Sequence, residues 1–465
     1  MLRRPGIYLI LLLCLVWGRT SGRAEDSTIH WDTAQGLLTA DIHQQPLFAV
    51  LEIMAKQSGW HIFVEPDAAR TVDVKFADLP VNAALRKIVG DLNLSYIPKT
   101  NGLPELYIFR TTQSHATQAI GLAPAKTATN AAKYVKNELL VKLKPGADIN
   151  AIAKSVGAKV VGSDDKLGIY RLQFENEADM QAALALLKSN NDVATVDYNY
   201  YFDPPPQPQQ VTTPANSTQP KLTLDDTTAS DPCHPTIAVI DTAIQSLGAN
   251  LDQFVNKPIT VVEDATTGNE GVTHGTAMIN AILDAIAQAA GNNGGTAKTS
   301  IKIQPIVVYQ SGEQTTTWNV ALGVQAAVNS GATVLNMSLG SSTDSAILDD
   351  IIQKAQAKGV VIFAAAGNTP VTSPTYPAAL TGVNAVTALS SPGQLASYAN
   401  RGSFVSMALP GANVVTEGNL SYLVQGTSTA TAYASGIAAA TKGVNCAGWS
   451  QITGAMQQKF PVPQP

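Results

Sequence analysis

Hydrophobic positions in the second half of the chain alternate between short apolar runs and longer runs with helical spacing. Four short runs read as strands, at residues 237–240, 303–308, 334–337 and 360–365. Strands that are buried on both faces give continuous apolar runs, and their alternation with helices is typical of a parallel α/β sheet. We therefore predict such a sheet, flanked by helices, over residues 233–450. Residues 451–465 form a weakly patterned tail.

Two smaller patterned regions precede this sheet. In residues 25–110, helical spacing at 47–58 and 81–90 is interleaved with strand-like runs at 60–64, 72–76, 94–97 and 106–109. In residues 135–203, helices at 149–156 and 177–188 are interleaved with strands at 138–146, 158–161, 169–174 and 193–200. Each region is predicted to be a small α+β domain.

Two segments between these domains lack periodicity. Residues 111–134 are rich in Thr, Ala and Gln, which is typical of a linker. Residues 204–232 are rich in Pro, Gln, Thr and Asp and begin with Pro204-Pro-Pro206. We expect this second segment to be flexible or extended chain and to contain a processing site, since exposed tethers are readily cleaved.

The N-terminus has the pattern of a secretion signal over residues 1–24. Arg3 and Arg4 precede an apolar run at 7–17 that is short for a membrane span, and Gly22-Arg-Ala24 offers a cleavage site. The alternative is an uncleaved anchor. Removal of the signal takes away four arginines and no acid, which shifts the formal net charge from −5 to −9. No basic cluster or second apolar span then remains, so we expect neither nucleic-acid binding nor a membrane span.

Length, composition and cysteine count indicate the number of domains and a candidate disulfide. The chain has 465 residues, 45% of them hydrophobic and 14% charged, which fits about three folded domains. After signal removal only Cys233 and Cys446 remain. In an oxidising compartment they are candidates for a disulfide, and two separate thiols are the alternative.

Three segments carry candidate chemistry. Asp241 ends the apolar run at 237–240, His274 lies in Thr273-His-Gly-Thr276 before a helix of small residues, and Ser428 lies in Gly426-Thr-Ser-Thr-Ala430 before another. Groups at the carboxyl ends of parallel strands meet at one edge of a sheet, and a helix N-terminus favours developing negative charge. An acid, an imidazole and a hydroxyl brought together in this way can act as a catalytic triad.

The order Asp, His, Ser and the flanking residues resemble those of the subtilisin-like serine proteases (subtilases). The resemblance spans about residues 235–445 and implies acyl-enzyme hydrolysis of peptide bonds by Asp241, His274 and Ser428. It also implies an oxyanion-hole amide at Asn368, in Ala-Ala-Gly-Asn. Substrate binding is implied for five further residues: Ser338, Leu339, Gly340, Ala366 and Gly367.

The two N-terminal domains also resemble known modules. The patterns "IHQQPLFAVLEIMAKQSGWHIFVEPD" and "VKFADLPVNAALRKIVGDLNLSYI" are similar to the short N-terminal domain of secretins and TonB-dependent receptors. That resemblance implies a Gram-negative envelope and a docking role; the alternative is a small domain with no assignable partner. "ELLVKLKPGAD…GIYRLQF…DVATVDYNYYF" resembles the fervidolysin-type prodomain of subtilases, which implies a folding aid and temporary inhibitor. An independent α+β module is the alternative.

Two departures from the subtilase pattern lie next to Asp241 and Ser428 and bear on whether the site is active. Ala243 stands where glycine is usual, and the helix after Ser428 has Ala432 and Tyr433 where proline and histidine are usual. If the backbone at Ala243 needs a positive φ, alanine costs about 1–2 kcal/mol.

Taken together, the sequence predicts a periplasmic or secreted serine endopeptidase that is made as a zymogen and acts on peptides or proteins. The alternative is a catalytically weak peptide-binding protein that acts in envelope docking or signalling. No cofactor is evident, and calcium is possible but has no motif to support it.

Overall fold

The computed structural model describes most of the chain after the predicted signal. The described residues are 28–32, 36–65, 68, 70–97, 105–110, 118–120, 133–211, 221–224, 233, 235–265, 271–290, 296–310, 315–391, 393–417 and 420–463. The signal-peptide interpretation of residues 1–24 lies outside them. The chain forms two compact units, divided between residues 126 and 127.

The first unit has two small sheets and two helices around its own hydrophobic core. Its strands are β1 (Thr28–Asp32), β2 (Leu37–Pro46), β3 (His61–Val64), β4 (Thr71–Pro80), β5 (Asn93–Ile97), β6 (Glu105–Phe109) and β7 (Gln118–Ile120), and its helices are α1 (Leu47–Ser58) and α2 (Val81–Val89). One sheet has the order β1-β2-β4 and the other β5-β6-β3-β7. Leu47, Val50, Leu51 and Met54 bury the inner face of α1 at helical spacing, as the hydrophobic pattern predicts.

The second unit begins with a small α+β layer. Its elements are β8 (Tyr134–Leu143), α3 (Ile149–Ser155), β9 (Lys159–Asp164), β10 (Ile169–Gln173), α4 (Glu177–Lys188) and β11 (Val193–Phe202). The strands pair antiparallel in the order β11-β8-β10-β9. Buried side chains of α3 and α4 cover one face of this sheet and form a separate core with it.

A large α/β layer follows in the same unit. Its elements are β12 (Gln209–Val211), β13 (Leu222–Leu224), β14 (Thr236–Asp241), α5 (Ala249–Asp252), β15 (Ile259–Thr260), α6 (His274–Ala289), β16 (Ala297–Thr299), β17 (Lys302–Val307), β18 (Thr315–Thr316), α7 (Thr317–Asn329), β19 (Val334–Met337), α8 (Ala346–Ala357), β20 (Val361–Ala365), β21 (Asn384–Ser391), β22 (Gln394–Leu395), β23 (Met407–Pro410), β24 (Ala412–Glu417), β25 (Leu420–Gln425), α9 (Thr427–Asn445) and α10 (Trp449–Lys459).

The main sheet of this layer has the order β15-β17-β14-β19-β20-β21-β22, with β23 also paired to β21. Every pair in it is parallel except β21 with β22. The fold class predicted from the apolar runs is therefore confirmed.

Helices cover both faces of the main sheet because successive strand residues point to opposite sides. Ile237 and Val239 join the core under α6 and α9, whereas Ala238 and Ile240 join the core under α7 and α8. The helices α6 and α9 pack closely: a Cβ atom on Gly436 would lie 2.6 Å from the carbonyl oxygen of Ile282. Small residues along α9 thus allow the backbones to approach.

The structure differs from the sequence predictions in two segments. Residues 451–459 of the predicted tail belong to α10 (Trp449–Lys459), whose buried Ile452 and Met456 pack into the core of α6 and α9. The linker at 204–232, expected to be flexible or extended, is extended and paired in part, because β12 pairs with β25 and β13 with β16. Neither difference had a periodic signal, since these elements are short or mostly polar.

None of the helices in the described residues is long and apolar enough to cross a membrane.

Candidate active site

Asp241 and His274 form a buried acid–imidazole pair at the carboxyl edge of the main sheet. Asp241 is the last residue of β14 and His274 the first of α6, and both are almost fully buried. Nδ1 of His274 lies 2.8 Å from Oδ1 and 3.0 Å from Oδ2 of Asp241. A carboxylate accepts only, so Nδ1 is the donor of this pair, and Nε2 lies on the side of the ring away from the carboxylate.

Local contacts lock the start of α6 to the end of β14. The backbone N–H of Gly275 donates to Oγ1 of Thr242 at 2.9 Å, and the N–H of Thr242 donates to Oδ1 of Asp241 at 2.7 Å. A Cβ atom on Gly275 would lie 2.6 Å from the carbonyl oxygen of Thr242, so only glycine fits there. Thr273 caps the helix by accepting from the N–H of Thr276. The His-Gly-Thr motif thus fixes where the imidazole lies.

Ser428 is the second residue of α9, and its side chain is buried. Its hydroxyl donates to the carbonyl oxygen of Ser338 at 3.2 Å, and the hydroxyl of Ser338 donates back to the carbonyl oxygen of Ser428 at 3.1 Å. Nε2 of His274 is buried and has no hydrogen-bond partner among the described residues. The hydroxyl and the imidazole of the predicted triad are therefore not hydrogen-bonded to each other in this structure.

Asn368 follows β20 and is held by the first residue of α9. Its Oδ1 accepts from the backbone N–H of Thr427 at 2.9 Å and from the Thr427 hydroxyl at 3.0 Å. The same hydroxyl oxygen accepts from the N–H of Gly367 at 3.1 Å. Because Oδ1 is occupied, the amide nitrogen Nδ2 is the part of Asn368 left to bind a ligand.

The five predicted substrate-binding residues lie at the carboxyl ends of β19 and β20. Ser338, Leu339 and Gly340 follow β19, and the carbonyl oxygen of Gly340 accepts from the N–H of Asp203 at 3.2 Å. The side chain of Leu339 is buried in the core under α7 and α8. Ala366 and Gly367 follow β20, and both are tied to neighbouring chain by their backbone groups. Backbone rather than side chains is thus presented at this edge.

Three buried residues of the site were missed by the sequence analysis: Thr427, Asn336 and Ser435. The Ser435 hydroxyl donates to Oδ1 of Asn336 at 3.0 Å, and Nδ2 of Asn336 donates to the Ser338 hydroxyl at 3.0 Å. The chain of hydrogen bonds therefore runs from the middle of α9 to Ser338 beside Ser428. An asparagine inside the apolar run of β19 was an available signal, because a buried polar group needs a partner.

Neither departure from the subtilase pattern strains the backbone. Among the described residues, the non-glycine positions with positive φ are Gln44, Asp78, Asn137 and Cys446, so Ala243 does not carry the expected penalty. Ala432 is fully buried within α9, and Tyr433 packs against the adjacent core. Burial raises the pKa of Tyr433, and the carboxylate of Asp284 raises it further, so the phenol stays neutral.

Cys233 and Cys446 are joined by a disulfide, with a Cα–Cα distance of 4.8 Å and a sequence separation of 213. It ties the segment before β14 to the end of α9. Such bonds persist in oxidising compartments.

This sheet edge combines a buried carboxylate–imidazole pair, a serine at a helix N-terminus and an asparagine amide. The three residue types of a catalytic triad follow each other along the chain in the order Asp, His, Ser. This combination is that of a serine hydrolase. Comparison with known proteins agrees with this class. The subtilase family matches residues 234–458, and the fervidolysin N-terminal prodomain matches residues 122–199.

Individual relatives extend the comparison. Thermitase of Thermoactinomyces vulgaris is 34% identical over 208 residues, which cover 43% of this chain and 72% of thermitase. Subtilisin BL of Lederbergia lenta is 30% identical over 218 residues, which cover 46% of this chain and 78% of that protein. A thermophilic serine proteinase of Bacillus sp. strain AK1 is 28% identical over 314 residues, which cover 66% of this chain and 78% of that protein.

The chain belongs to the subtilase family. It is a subtilisin-family serine endopeptidase with a fervidolysin-type prodomain, and it acts on peptide or protein substrates. The fold agrees with that of fervidolysin from Fervidobacterium pennivorans, a keratinolytic enzyme related to subtilisin, at a TM-score of 0.51 and 20% identity. That match covers 69% of this chain and 57% of the fervidolysin chain.

Proposed function

We propose that the protein is an exported serine endopeptidase, made as a zymogen, in which Asp241, His274 and Ser428 form the catalytic triad. The observation that carries the proposal is the buried pair of Asp241 and His274, which fixes Nε2 as the basic nitrogen on the side away from the carboxylate. Ser428 lies at the N-terminus of α9, where an alkoxide or oxyanion is favoured electrostatically.

In the proposed reaction, Nε2 of His274 takes the hydroxyl proton as Ser428 attacks the substrate carbonyl carbon. Nδ2 of Asn368 and the backbone N–H of Ser428 stabilise the oxyanion of the tetrahedral intermediate. His274 then gives its proton to the leaving amine, and water repeats the sequence to release the acyl group. Asp241 stabilises the imidazolium form throughout. Backbone groups of Ser338–Gly340 pair with the substrate as an added strand.

Contacts between the α+β layer at residues 135–203 and the α/β layer support the zymogen proposal. The N–H of Trp318, in the first turn of α7, donates to Oδ1 of the buried Asn199 at 3.0 Å. Strand β11 pairs antiparallel with β18, directly before α7. Lys142 forms an ion pair with Asp350 of α8. The prodomain sheet thus extends onto the two helices that cover one face of the main sheet.

The experiment that tests this function compares the full chain with Ser428→Ala and Asp241→Asn. The wild-type chain should react with a fluorophosphonate probe and cleave its own linker, and Ser428→Ala should do neither. Asp241→Asn should keep the nucleophile but lower turnover by several orders of magnitude, because the wrong tautomer of His274 is favoured. Equal linker processing without labelling in wild type and Ser428→Ala would contradict the protease proposal and favour the catalytically weak alternative.

Export to a Gram-negative envelope, and docking to an envelope protein there through residues 30–110, are part of the proposal. The signal-like N-terminus, the disulfide and the resemblance of the first unit to secretin-type domains support it. The first unit has its own core, as a separate docking module requires. N-terminal sequencing of the exported chain should begin after residue 24. Recovery of the chain with Met1 intact, in a reducing compartment, would contradict export.

A further inference from the structure

The segment after the prodomain crosses the candidate active site. At one end, the N–H of Asp203 donates to the carbonyl oxygen of Gly340 at 3.2 Å, and the Tyr309 hydroxyl donates to the carbonyl oxygen of Asp203 at 3.2 Å. At the other end, β12 (Gln209–Val211) pairs antiparallel with residues 421–423 of β25. The chain between these contacts begins with Pro204-Pro-Pro206.

Pro205 lies two residues after Asp203, and Ser338 lies two residues before Gly340. An antiparallel register through the bond between Asp203 and Gly340 would therefore set Pro205 opposite Ser338. Pro205 is buried, and as a proline it has no N–H to give to the Ser338 carbonyl. That carbonyl accepts from the Ser428 hydroxyl, and Nε2 of His274 has no partner among the described residues. The hydroxyl of the proposed nucleophile is thus turned away from its proposed base.

The position of Pro206 follows from its neighbours. A Cβ atom built on Gly426 would lie 3.5 Å from Cγ of Pro206 and 3.2 Å from Nδ2 of Asn368. Pro206 and Asn368 also line one cavity of about 230 Å³ together with Tyr398. Pro206 thus lies beside Asn368 and the glycine that precedes α9.

We propose that the three prolines make this linker a bound, hydrolysis-resistant inhibitor of the enzyme's own active site, with the peptide bond between Pro205 and Pro206 at Ser428. The inference rests on the proposed triad and names how that site is regulated. Acylation of Ser428 would form a bond from its Oγ to the carbonyl carbon of Pro205 and break the bond from that carbon to the nitrogen of Pro206. The hydroxyl proton would pass through Nε2 of His274 to the leaving nitrogen.

Proline opposes this step at both residues. The ring of Pro206 replaces the hydrogen on the leaving nitrogen with Cδ, which crowds the approach of His274 and restricts rotation of that nitrogen as the intermediate collapses. Pro205 has no N–H to donate to the Ser338 carbonyl, a bond that any other residue at this position could make. Release of the inhibitor therefore requires a cut outside these three residues, or dissociation of the intact segment.

The test compares four full-length chains: wild type, Pro206→Ala, Pro204→Ala and the double variant Pro206→Ala with Ser428→Ala. Pro206→Ala converts the bond facing Ser428 into an ordinary secondary amide, whereas Pro204→Ala changes a neighbouring bond and serves as the matched control. The readouts are intact mass with N-terminal sequencing, and overnight labelling by a fluorophosphonate probe. The long incubation captures Ser428 during transient openings of the linker.

We expect Pro206→Ala to gain a new N-terminus at position 206 and at least a 10-fold faster labelling. Wild type, Pro204→Ala and the double variant should stay uncut between residues 203 and 207. Cleavage of wild type within this segment would overturn the proposal, as would a Pro206→Ala chain that labels at Ser428 but stays uncut there. Cleavage of Pro204→Ala between residues 203 and 204 would overturn the assigned register. No labelling in any chain would count against the proposed triad as well.

Discussion

Phe202, in the last strand of the prodomain, packs its side chain into the core of the α/β layer. It is only 5% exposed and belongs to the same buried cluster as Leu339 and Trp318. Its backbone pairs with Thr315 in β18. Phe202 directly precedes Asp203, so it anchors the segment that crosses the active site. We predict that Phe202→Ala releases this segment.

The size of the effect follows from the buried volume. Truncation of a buried phenylalanine to alanine costs about 3–5 kcal/mol, from lost transfer free energy and the cavity left behind. At the lower figure, the open fraction of the linker rises about 100-fold, because each 1.4 kcal/mol is a factor of ten. Phe202→Leu keeps most of the volume and should raise the open fraction by about 10-fold or less.

The assay is the rate at which a fluorophosphonate probe labels Ser428 in the full chain, since only the open form exposes the hydroxyl. Leu186→Ala is the control, because this α4 residue is 58% exposed and its loss should change the rate less than threefold. A labelling rate for Phe202→Ala within twofold of wild type, at an unchanged melting temperature, would refute the anchoring role. Phe202→Leu decides the question if the alanine variant does not fold.

Three further predictions address the site and its support. Asn368→Ala should lower kcat by about 100- to 1,000-fold with little change in KM, which is the range known from subtilisin itself for loss of one oxyanion donor. A raised KM at unchanged kcat would contradict this role. Replacement of Cys233 and Cys446 by serine should lower the free energy of unfolding by about 4–5 kcal/mol, measured by urea unfolding, because the closed loop is long; an unchanged midpoint would refute this. Burial raises the pKa of Asp197, whose carboxylate accepts from the N–H of Ala346 at the start of α8. Because the pKa is raised in the folded chain, folding gains stability as pH falls through that pKa and loses it as pH rises. Thermal melts of wild type between pH 7 and 4 should therefore show a gain that Asp197→Asn lacks, and identical pH profiles would contradict the assignment.

Much of the α/β layer could be predicted from apolar runs. The run at 334–337 coincides with β19, and those at 237–240, 303–308 and 360–365 match β14, β17 and β20 to within one residue at each end. These strands are buried on both faces, so their sequence has to be continuously apolar. The helix predicted at 177–188 has the same bounds in the structure, where Asn176 caps it and its buried residues repeat with helical spacing.

Other elements gave no periodic signal. β12 contains glutamines and a single apolar residue, and its conformation depends on pairing with β25. α10 is mostly polar, and its fully buried residues are Ile452 and Met456. Its sequence is therefore too weakly apolar to indicate a helix that packs against a core. In both cases the stabilising contacts come from residues far away in the chain, which a local pattern does not contain.

The sequence by itself determined the class of this protein, because a triad needs particular residue types next to glycines and small residues. The proposed triad of Asp241, His274 and Ser428 could be picked out for that reason, and so could Asn368 as the proposed oxyanion donor. Only the tertiary structure decided the state of that site. It turned the Ser428 hydroxyl toward Ser338, removed the predicted strain at Ala243, and laid Pro204–Pro206 across the sheet edge. The physical reason is that hydrogen-bond direction and chain path depend on contacts between distant segments, whereas residue type and spacing are local.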